Sequence, residues 1–104
     1  MANFLIQRAA GFRLDDIYRY TKDRWGKSQA DRYINGLFER FQSIADQAAF
    51  SKPIPAILEV NGFVSRYENH YIYWKYLDDG NIGIVMVLHE RMHQIERLKD
   101  DLIA

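Results

Sequence analysis

The alternation of apolar and polar residues is clearest in the second half of the chain, where it predicts three consecutive β-strands. Tyr, Ile, Val and Trp, which favour extended backbone, are concentrated in the runs that we assign to strands, residues 62–67, 70–76 and 82–88. Asp79-Gly80 separates the last two runs and is typical of a type I′ turn, whose two central residues have positive φ. Glu68-Asn69 separates the first two, with Asn69 as the residue that tolerates positive φ. The pattern therefore predicts an antiparallel meander.

The first half of the chain begins with a short predicted strand, residues 3–8, in which Phe4 and Ile6 share one side. A helix is predicted from near Phe12 to Gly26, because the following apolar residues recur at the spacing of one helical face: Leu14, Ile17, Tyr18, Thr21 and Trp25. We expect Asp15 and Asp16 in its first turns, where the positive end of the helix dipole favours carboxylates.

A second, longer helix is predicted from Ser28, with Asp31 completing a variant of the capping box. Its broad apolar stripe consists of Ala30, Tyr33, Ile34, Leu37, Phe38, Phe41, Ile44, Ala45 and Ala48. Gly36 lies within this stripe and predicts a close contact between the two helices, because glycine is otherwise unfavourable inside a helix. The short break between the helices predicts that they lie antiparallel as an αα-hairpin.

Pro53 and Pro55 lie in residues 51–60, which we interpret as an extended connector from the hairpin to the sheet. Residues 92–104 predict a short C-terminal helix. The order of elements predicts an α+β fold, a two-layer sandwich with an N-terminal strand, an αα-hairpin, a three-stranded antiparallel meander and a terminal helix, all in one domain over residues 1–104. We expect the helices to cover one face of the sheet and to leave the other partly open.

Composition narrows the classes of protein that the chain can belong to. The sequence is 48% hydrophobic, contains no cysteine, and has no apolar run near the roughly 20 residues that span a bilayer. Without cysteine or a secretory leader, we expect a cytoplasmic protein. Fourteen basic and fourteen acidic side chains cancel. No overall positive field therefore attracts the chain to nucleic acid.

The order of these elements, with the residues that fill them, resembles the RelE/ParE superfamily of bacterial toxins and is most similar to its ParE branch. The matching segments are Leu14–Tyr20 leading to Arg24-Trp25-Gly26, Ala30 with Tyr33, Pro53, Ser65–Glu68, His70–Trp74 and Leu88–Met92. The resemblance implies a small toxin encoded beside an antitoxin, here a ParD-like protein, that wraps it and neutralises it. ParE-type members poison DNA gyrase, whereas RelE-type members cut messenger RNA in the ribosome. Because fold alone does not decide function, the residues must distinguish the two.

A ribonuclease would need a general base, a general acid and cations near the phosphate. The candidate set is Arg66, His89 and Arg91. Alternation along the last strand places Val85, Val87, His89 and Arg91 on one face, with Ile84, Met86 and Leu88 on the other, and Arg66 across from the first face. Further candidates are Glu59, Glu68 and Glu90 as base, and His70 and His93 as acid. In the alternative interpretation the arginines pair with neighbouring glutamates and the histidines are structural hydrogen-bond partners.

A metal site and a cofactor are not expected, because His89 and His93 lie at a strand end with no third ligand.

Tyr71 and Tyr73 alternate with Ile72, Trp74 and Tyr76. We expect the first pair either to receive a partner chain or to be buried by the terminal segment. Trp25 either caps the helical hairpin or contacts the antitoxin. The amphipathic segment from Met92 onward is our candidate for the target-binding surface, through Met92, His93, Ile95 and Leu98.

These observations favour an interaction protein without catalytic residues, a toxin that binds gyrase and is held inactive by its antitoxin. The antitoxin is expected to place an amphipathic helix and an extended segment over the helical hairpin and the sheet edge. Two alternatives stay open. One is a ribosome-dependent endoribonuclease that uses Arg66, His89 and Arg91, and the other is a degenerate toxin that only binds its partner.

Overall fold

The computed structural model describes residues 3–54 and 61–91, and within them two helices pack on a single mixed sheet. The elements are β1 (Phe4–Ile6), α1 (Arg8–Trp25), α2 (Lys27–Ala45), β2 (Lys52–Pro53), β3 (Phe63–Tyr67), β4 (His70–Tyr76) and β5 (Ile82–His89). The strands lie in the order β1-β5-β4-β3-β2, with β1 parallel to β5 and the other pairs antiparallel. This arrangement confirms the predicted α+β class. The predicted terminal helix, residues 92–104, lies outside the described residues.

Helix α1 begins four residues earlier than the apolar pattern predicts. The Gln7 amide still donates to the Ile84 carbonyl at the end of β1, and the Gly11 amide already donates to the Gln7 carbonyl. Strand therefore passes into helix without a loop. The first turn contains no acidic residue, so the expected placement of Asp15 and Asp16 there is wrong. Neither α1 nor α2, the helices of the described segments, is long and apolar enough to cross a bilayer.

Helix α2 begins at Lys27 and has no side-chain cap, so the capping box expected from Ser28 and Asp31 is wrong. The Asp31 carboxylate instead accepts hydrogen bonds from the Lys27 ammonium at 2.8 Å and from the Tyr18 hydroxyl at 2.7 Å. The second of these bonds joins the two helices, which form the predicted αα-hairpin around Gly26. Asp31 therefore connects α1 to α2 and does not start a helix.

Gly36 permits a close contact, but its partner is a strand and not the other helix. A Cβ atom at this position would overlap the Tyr67 hydroxyl of β3 and would lie 2.7 Å from Cζ of that ring. The sequence correctly indicates a close approach in the middle of α2. Which element approaches depends on how α2 crosses the sheet, and this is not visible in the local pattern.

The part of the connector that lies within the described residues forms an edge strand. Lys52 and Pro53 pair with Val64 and Phe63 of β3. Pro53 is tolerated there because an edge strand leaves one side of its backbone unpaired. Residues 55–60 of the predicted connector lie outside the described residues.

A β-bulge changes which side chains of β5 face the helices. Tyr73 of β4 pairs with Met86, whereas the next residue, Trp74, pairs with Ile84, so that Val85 has no residue opposite. Ile84 and Val87 therefore both pack in the core beneath the helices, while Met86 packs on the other face. The predicted strict alternation, with Ile84 and Met86 on one face, is wrong because it assumed a regular strand.

The main core lies between the helices and the sheet, as predicted. Its fully buried side chains include Leu37 and Phe41 of α2 and Ile72 of β4. The second face of the sheet is not open at its centre, because Met86 and Leu88 are only 1% and 0% exposed. They form a second cluster with Ile54 and Tyr73. The expectation of a partly open face is therefore wrong at these positions.

Both hairpin turns differ from the sequence expectation. Gly80 has a φ of 86° but Asp79 does not have positive φ, and the Gly80 amide donates to the Leu77 carbonyl at 3.2 Å. The turn is therefore longer than the predicted two-residue type I′ turn. In the β3–β4 turn, Glu68 has the positive φ, 50°, and not Asn69.

Candidate functional site

The β3–β4 corner, which we define as Tyr33, Tyr67, His70 and His89, contains the histidines that the sequence indicates for chemistry. His70 and His89 are direct cross-strand partners, and their ring centroids are 5.2 Å apart. The Tyr33 hydroxyl of α2 lies 2.6 Å from His70 Nδ1. Burial, and secondly the neighbouring His89, lowers the pKa of His70 to about 4. The ring is therefore neutral near pH 7, and its Nδ1 shares a hydrogen bond with the Tyr33 hydroxyl.

The two tyrosines of the corner are held in their neutral form. Burial raises the pKa of Tyr33 to about 12 and also raises the pKa of Tyr67. Their ring centroids are 5.4 Å apart in an edge-to-face arrangement, and the Arg40 guanidinium lies 5.5 Å from the Tyr67 ring centroid. The same guanidinium donates to the Arg66 carbonyl at 2.8 Å. The corner therefore joins α2 to the sheet, and its polar groups stabilise this junction.

Arg66 lies on the opposite face of the sheet, beside Tyr71. Its three nitrogens donate to the Glu68 carbonyl at 3.0 Å, to the Tyr71 hydroxyl at 3.3 Å and to the Glu90 carboxylate at 2.6 Å. The guanidinium carbon also lies 5.3 Å from the Tyr71 ring centroid. A phosphate that approached this guanidinium would compete with the Glu90 carboxylate.

The predicted nuclease residues do not share one face. The pairing of His89 with His70 directs it to the helical side, whereas Arg66 lies with Tyr71 on the second side. The backbone amide of Arg91 donates to His89 Nδ1 at 3.1 Å, just beyond the end of β5. The expectation that Arg66 lies across from the face of His89 is therefore wrong.

The further acid and base candidates are dispersed. Glu90 is ion-paired with Arg66, Glu68 is exposed in the β3–β4 turn, and His70 is bonded to Tyr33. Glu59 and His93 lie outside the described residues. Within residues 3–54 and 61–91 no group of three or more His, Asp or Glu side chains is arranged to hold a metal ion.

The predicted partner-binding tyrosines differ in their accessibility. Tyr73 is 4% exposed and belongs to the second-face cluster, where burial raises its pKa to about 12. Tyr71 is partly exposed and lies beneath the Arg66 guanidinium. Of the two outcomes expected for this pair, partner contact or burial, Tyr73 is buried. The other candidates, Met92, His93, Ile95 and Leu98, lie outside the described residues.

Trp25 is 67% exposed, so the expectation that it caps the hairpin is not met. Tyr20, about one turn before it on α1, is 60% exposed, and the Arg24 guanidinium lies 5.7 Å from its ring centroid. Tyr20 and Arg24 were not among the predicted site residues. Their four-residue spacing on a helix is the signal that would have identified the pair.

Comparisons with known proteins agree with this architecture. The chain matches the family described as "ParE toxin of type II toxin-antitoxin system, parDE" over residues 5–94. It is 34% identical to Toxin ParE of Escherichia coli over 104 residues, which cover 98% of each chain. It is 32% identical to Toxin ParE1 of Mycobacterium tuberculosis over 94 residues, which cover 88% of this chain and 92% of the relative.

A solved structure shares the fold. A chain from the structure titled "Chromosomal ParDE TA system from P. aeruginosa" superposes with a TM-score of 0.63 at 18% sequence identity, covering 86% of this chain and 96% of the other. The family match and the two relatives confirm the resemblance found in the sequence, and membership implies an antitoxin partner. The chain belongs to the family of ParE toxins of type II toxin–antitoxin systems.

Proposed function

We propose that this toxin acts by binding DNA gyrase and blocking it, and that a cognate antitoxin prevents this by covering the toxin. The observation that supports the proposal is the state of Arg66. Its guanidinium is paired with Glu90 at 2.6 Å, on the sheet face opposite to His89. Arg66 and His89 therefore do not converge on one phosphate group. Action by occupying a surface of another macromolecule needs no such convergence.

The antitoxin has two suitable surfaces, and we propose that it uses both. An amphipathic helix fits the exterior of the αα-hairpin, where Phe38 is 37% exposed beside Phe4 of β1. An extended segment fits the outer edge of β1, which is the terminal strand of the sheet within residues 3–54 and 61–91 and where the Leu5 side chain is exposed. Neutralisation follows if these contacts block access of the toxin to its target.

The direct experiment measures supercoiling by purified gyrase with the full-length protein added. We expect concentration-dependent loss of supercoiling, together with accumulation of cleaved DNA complexes, and we expect prior addition of the antitoxin to abolish both effects. The matched controls are His89→Ala and Arg66→Ala, which should inhibit gyrase as the wild-type protein does. Unchanged supercoiling and absence of cleaved DNA at excess wild-type protein would reject the proposal.

The second candidate is a ribosome-dependent endoribonuclease. One observation favours it, since Arg66, Tyr71, His89 and Arg91 all lie at the same end of the sheet although on different faces. It predicts that the wild-type protein cleaves transcripts on translating ribosomes and that His89→Ala and Arg66→Ala abolish cleavage and toxicity together. Toxicity that survives both substitutions would reject this site.

A further inference from the structure

The tip of the αα-hairpin projects from the rest of the described structure. Eight consecutive residues, 22–29, are all exposed, and they span the end of α1, Gly26 and the start of α2. Trp25 lies in the middle of this run. A large apolar side chain that is 67% exposed contributes little to the stability of its own chain. Trp25 is therefore accessible to another molecule.

Two side chains beside Trp25 contact each other on α1. Arg24 lies over the Tyr20 ring, at 5.7 Å from its centroid, which orders both long side chains. The hydrogen bond from Tyr18 to Asp31 joins α1 to α2 just below the tip. Because the two helices are joined here and Arg24 is held by Tyr20, the backbone that carries Trp25 loses little conformational entropy on binding.

The tip also has a local charge, although the whole chain is neutral. Residues 22–29 contain three basic side chains and one acidic side chain, Asp23. Lys27 is paired with Asp31 at 2.8 Å, whereas the ion pairs within the described residues use neither Lys22 nor Arg24. Lys22 and Arg24 exceed Asp23 by one positive charge, and this small excess beside an exposed tryptophan complements a surface that combines an apolar pocket with carboxylates.

We propose that the hairpin tip, residues 22–29, with Tyr20 beside it, is the anchor by which the toxin docks on gyrase, with Trp25 entering an apolar pocket rimmed by carboxylates. This inference rests on the proposed function, because it names the toxin surface that gyrase contacts. Trp, Tyr and Arg are the residue types that most often dominate the energy of protein–protein interfaces.

The shape and charge of the tip favour a folded protein over the other two partners. A convex tip presents little area to an antitoxin segment that wraps a groove and a sheet edge, but it fits a concave site on a rigid surface. Duplex DNA requires many more phosphate contacts for useful affinity than two free cations provide. The antitoxin and DNA are therefore the alternatives that the experiment must separate from gyrase.

The test compares Trp25→Ala, Lys22→Glu and Arg24→Glu with the wild-type full-length protein. Dissociation constants are measured for gyrase, for the antitoxin and for duplex DNA alone, beside inhibition of supercoiling. We expect Trp25→Ala to weaken gyrase binding by about 30-fold or more, with a parallel loss of inhibition. Each charge reversal should weaken it by about 10-fold at low salt and by less at high salt.

The matched control is Phe50→Ala, because Phe50 is 76% exposed and lies outside the tip. It should change gyrase binding by less than about 3-fold. Antitoxin binding by Trp25→Ala should equal that of wild type, which also shows that the variant is folded. An unchanged inhibition of gyrase by Trp25→Ala would overturn the inference while leaving the proposed function intact.

Two other results would also overturn it. If Trp25→Ala loses antitoxin or DNA binding and keeps gyrase binding, the tip serves that other partner. If the wild-type protein does not bind gyrase at all, the proposed function fails, and the docking assignment falls with it. The wild-type arm therefore tests the target, and the variant arms test the surface.

Discussion

The β3–β4 corner and the hairpin tip contain similar kinds of side chain but use them in opposite ways. In the corner, Tyr33 and His70 are hydrogen-bonded to each other and largely buried between α2 and the sheet. At the tip, Trp25 has most of its surface in solvent. The comparison teaches that residues of types common in catalytic sites can have a purely structural role. An exposed aromatic side chain that does not pack in its own chain is the better indication of a binding surface.

The substitution with the largest expected effect on this comparison is Gly36→Ala. A methyl group at position 36 overlaps the Tyr67 hydroxyl, so the Tyr67 ring must leave its place between Tyr33 and Arg40, or α2 must shift. We expect a loss of about 2–3 kcal/mol in the free energy of unfolding. Urea denaturation of the two proteins measures it.

A double-mutant cycle provides the control. Tyr67→Ala removes the overlapping ring, so Gly36→Ala should cost less in that background than in the wild-type protein, with a coupling free energy of at least about 1 kcal/mol. Additive effects would contradict a direct contact between Gly36 and Tyr67.

The next effect is the pH dependence of stability that arises from His70. Its pKa is about 4 in the folded protein, compared with 6.5 for a histidine side chain in water. The unfolded chain therefore binds the extra proton first, and folding stability decreases as pH falls through the interval from 6.5 to about 4. Between about pH 7 and about pH 5 we expect a loss of about 1–2 kcal/mol, after allowing for the solvent that still reaches the ring.

The measurement is urea denaturation across this range for the wild-type protein and for His70→Gln, whose amide does not titrate but can still accept from Tyr33. The variant should lose less stability on acidification. An identical pH dependence in both proteins would show that other groups produce it.

A smaller effect is expected from the Arg66–Glu90 pair, which lies at the surface with side chains that are 54% and 34% exposed. A double-mutant cycle of Arg66→Ala and Glu90→Ala should give a coupling free energy of about 0.5–1 kcal/mol that decreases in high salt. A coupling free energy near zero would mean that Glu90 does not fix the position of the Arg66 side chain when the protein is in solution. It would also remove one argument against the nuclease alternative.

The smallest effect on stability is expected at the tip. Trp25→Ala should change the free energy of unfolding by less than about 0.5 kcal/mol, because the side chain is mostly in solvent. Thermal or urea denaturation measures it. A loss above about 2 kcal/mol would indicate that Trp25 packs as the expected cap, and the contrast between corner and tip would fail.

Much of the fold was predictable because the periodicities are strong. The two helices, the hairpin between them and strands β3 to β5 follow from apolar spacing, and the family follows from the order of these elements. The beginning of α1 was not predictable from its stripe, since Ala9, Ala10 and Gly11 offer no contrast between an apolar and a polar face. Local propensity also did not reveal that Glu68 adopts the positive φ in its turn.

The candidate site was less predictable. The sequence indicated Arg66, His70 and His89 as candidate nuclease residues, but it could not show that a bulge between β4 and β5 changes the alternation. It also identified Trp25 as unusual without showing that the residue is exposed. These are properties of contacts between distant segments, on which local patterns carry no information.

By itself the sequence determined the kinds and order of the elements, the absence of cysteine chemistry and the balance of charge, because each depends on residue identity and short spacing alone. The tertiary structure decided the contact partner of Gly36, the sheet face on which Arg66 lies, and the ion pair that Arg66 forms with Glu90. It decided as well that Tyr73 is buried while Trp25 is exposed. The physical reason is that burial and hydrogen bonding are set by segments that meet in space, and these lie far apart along the chain.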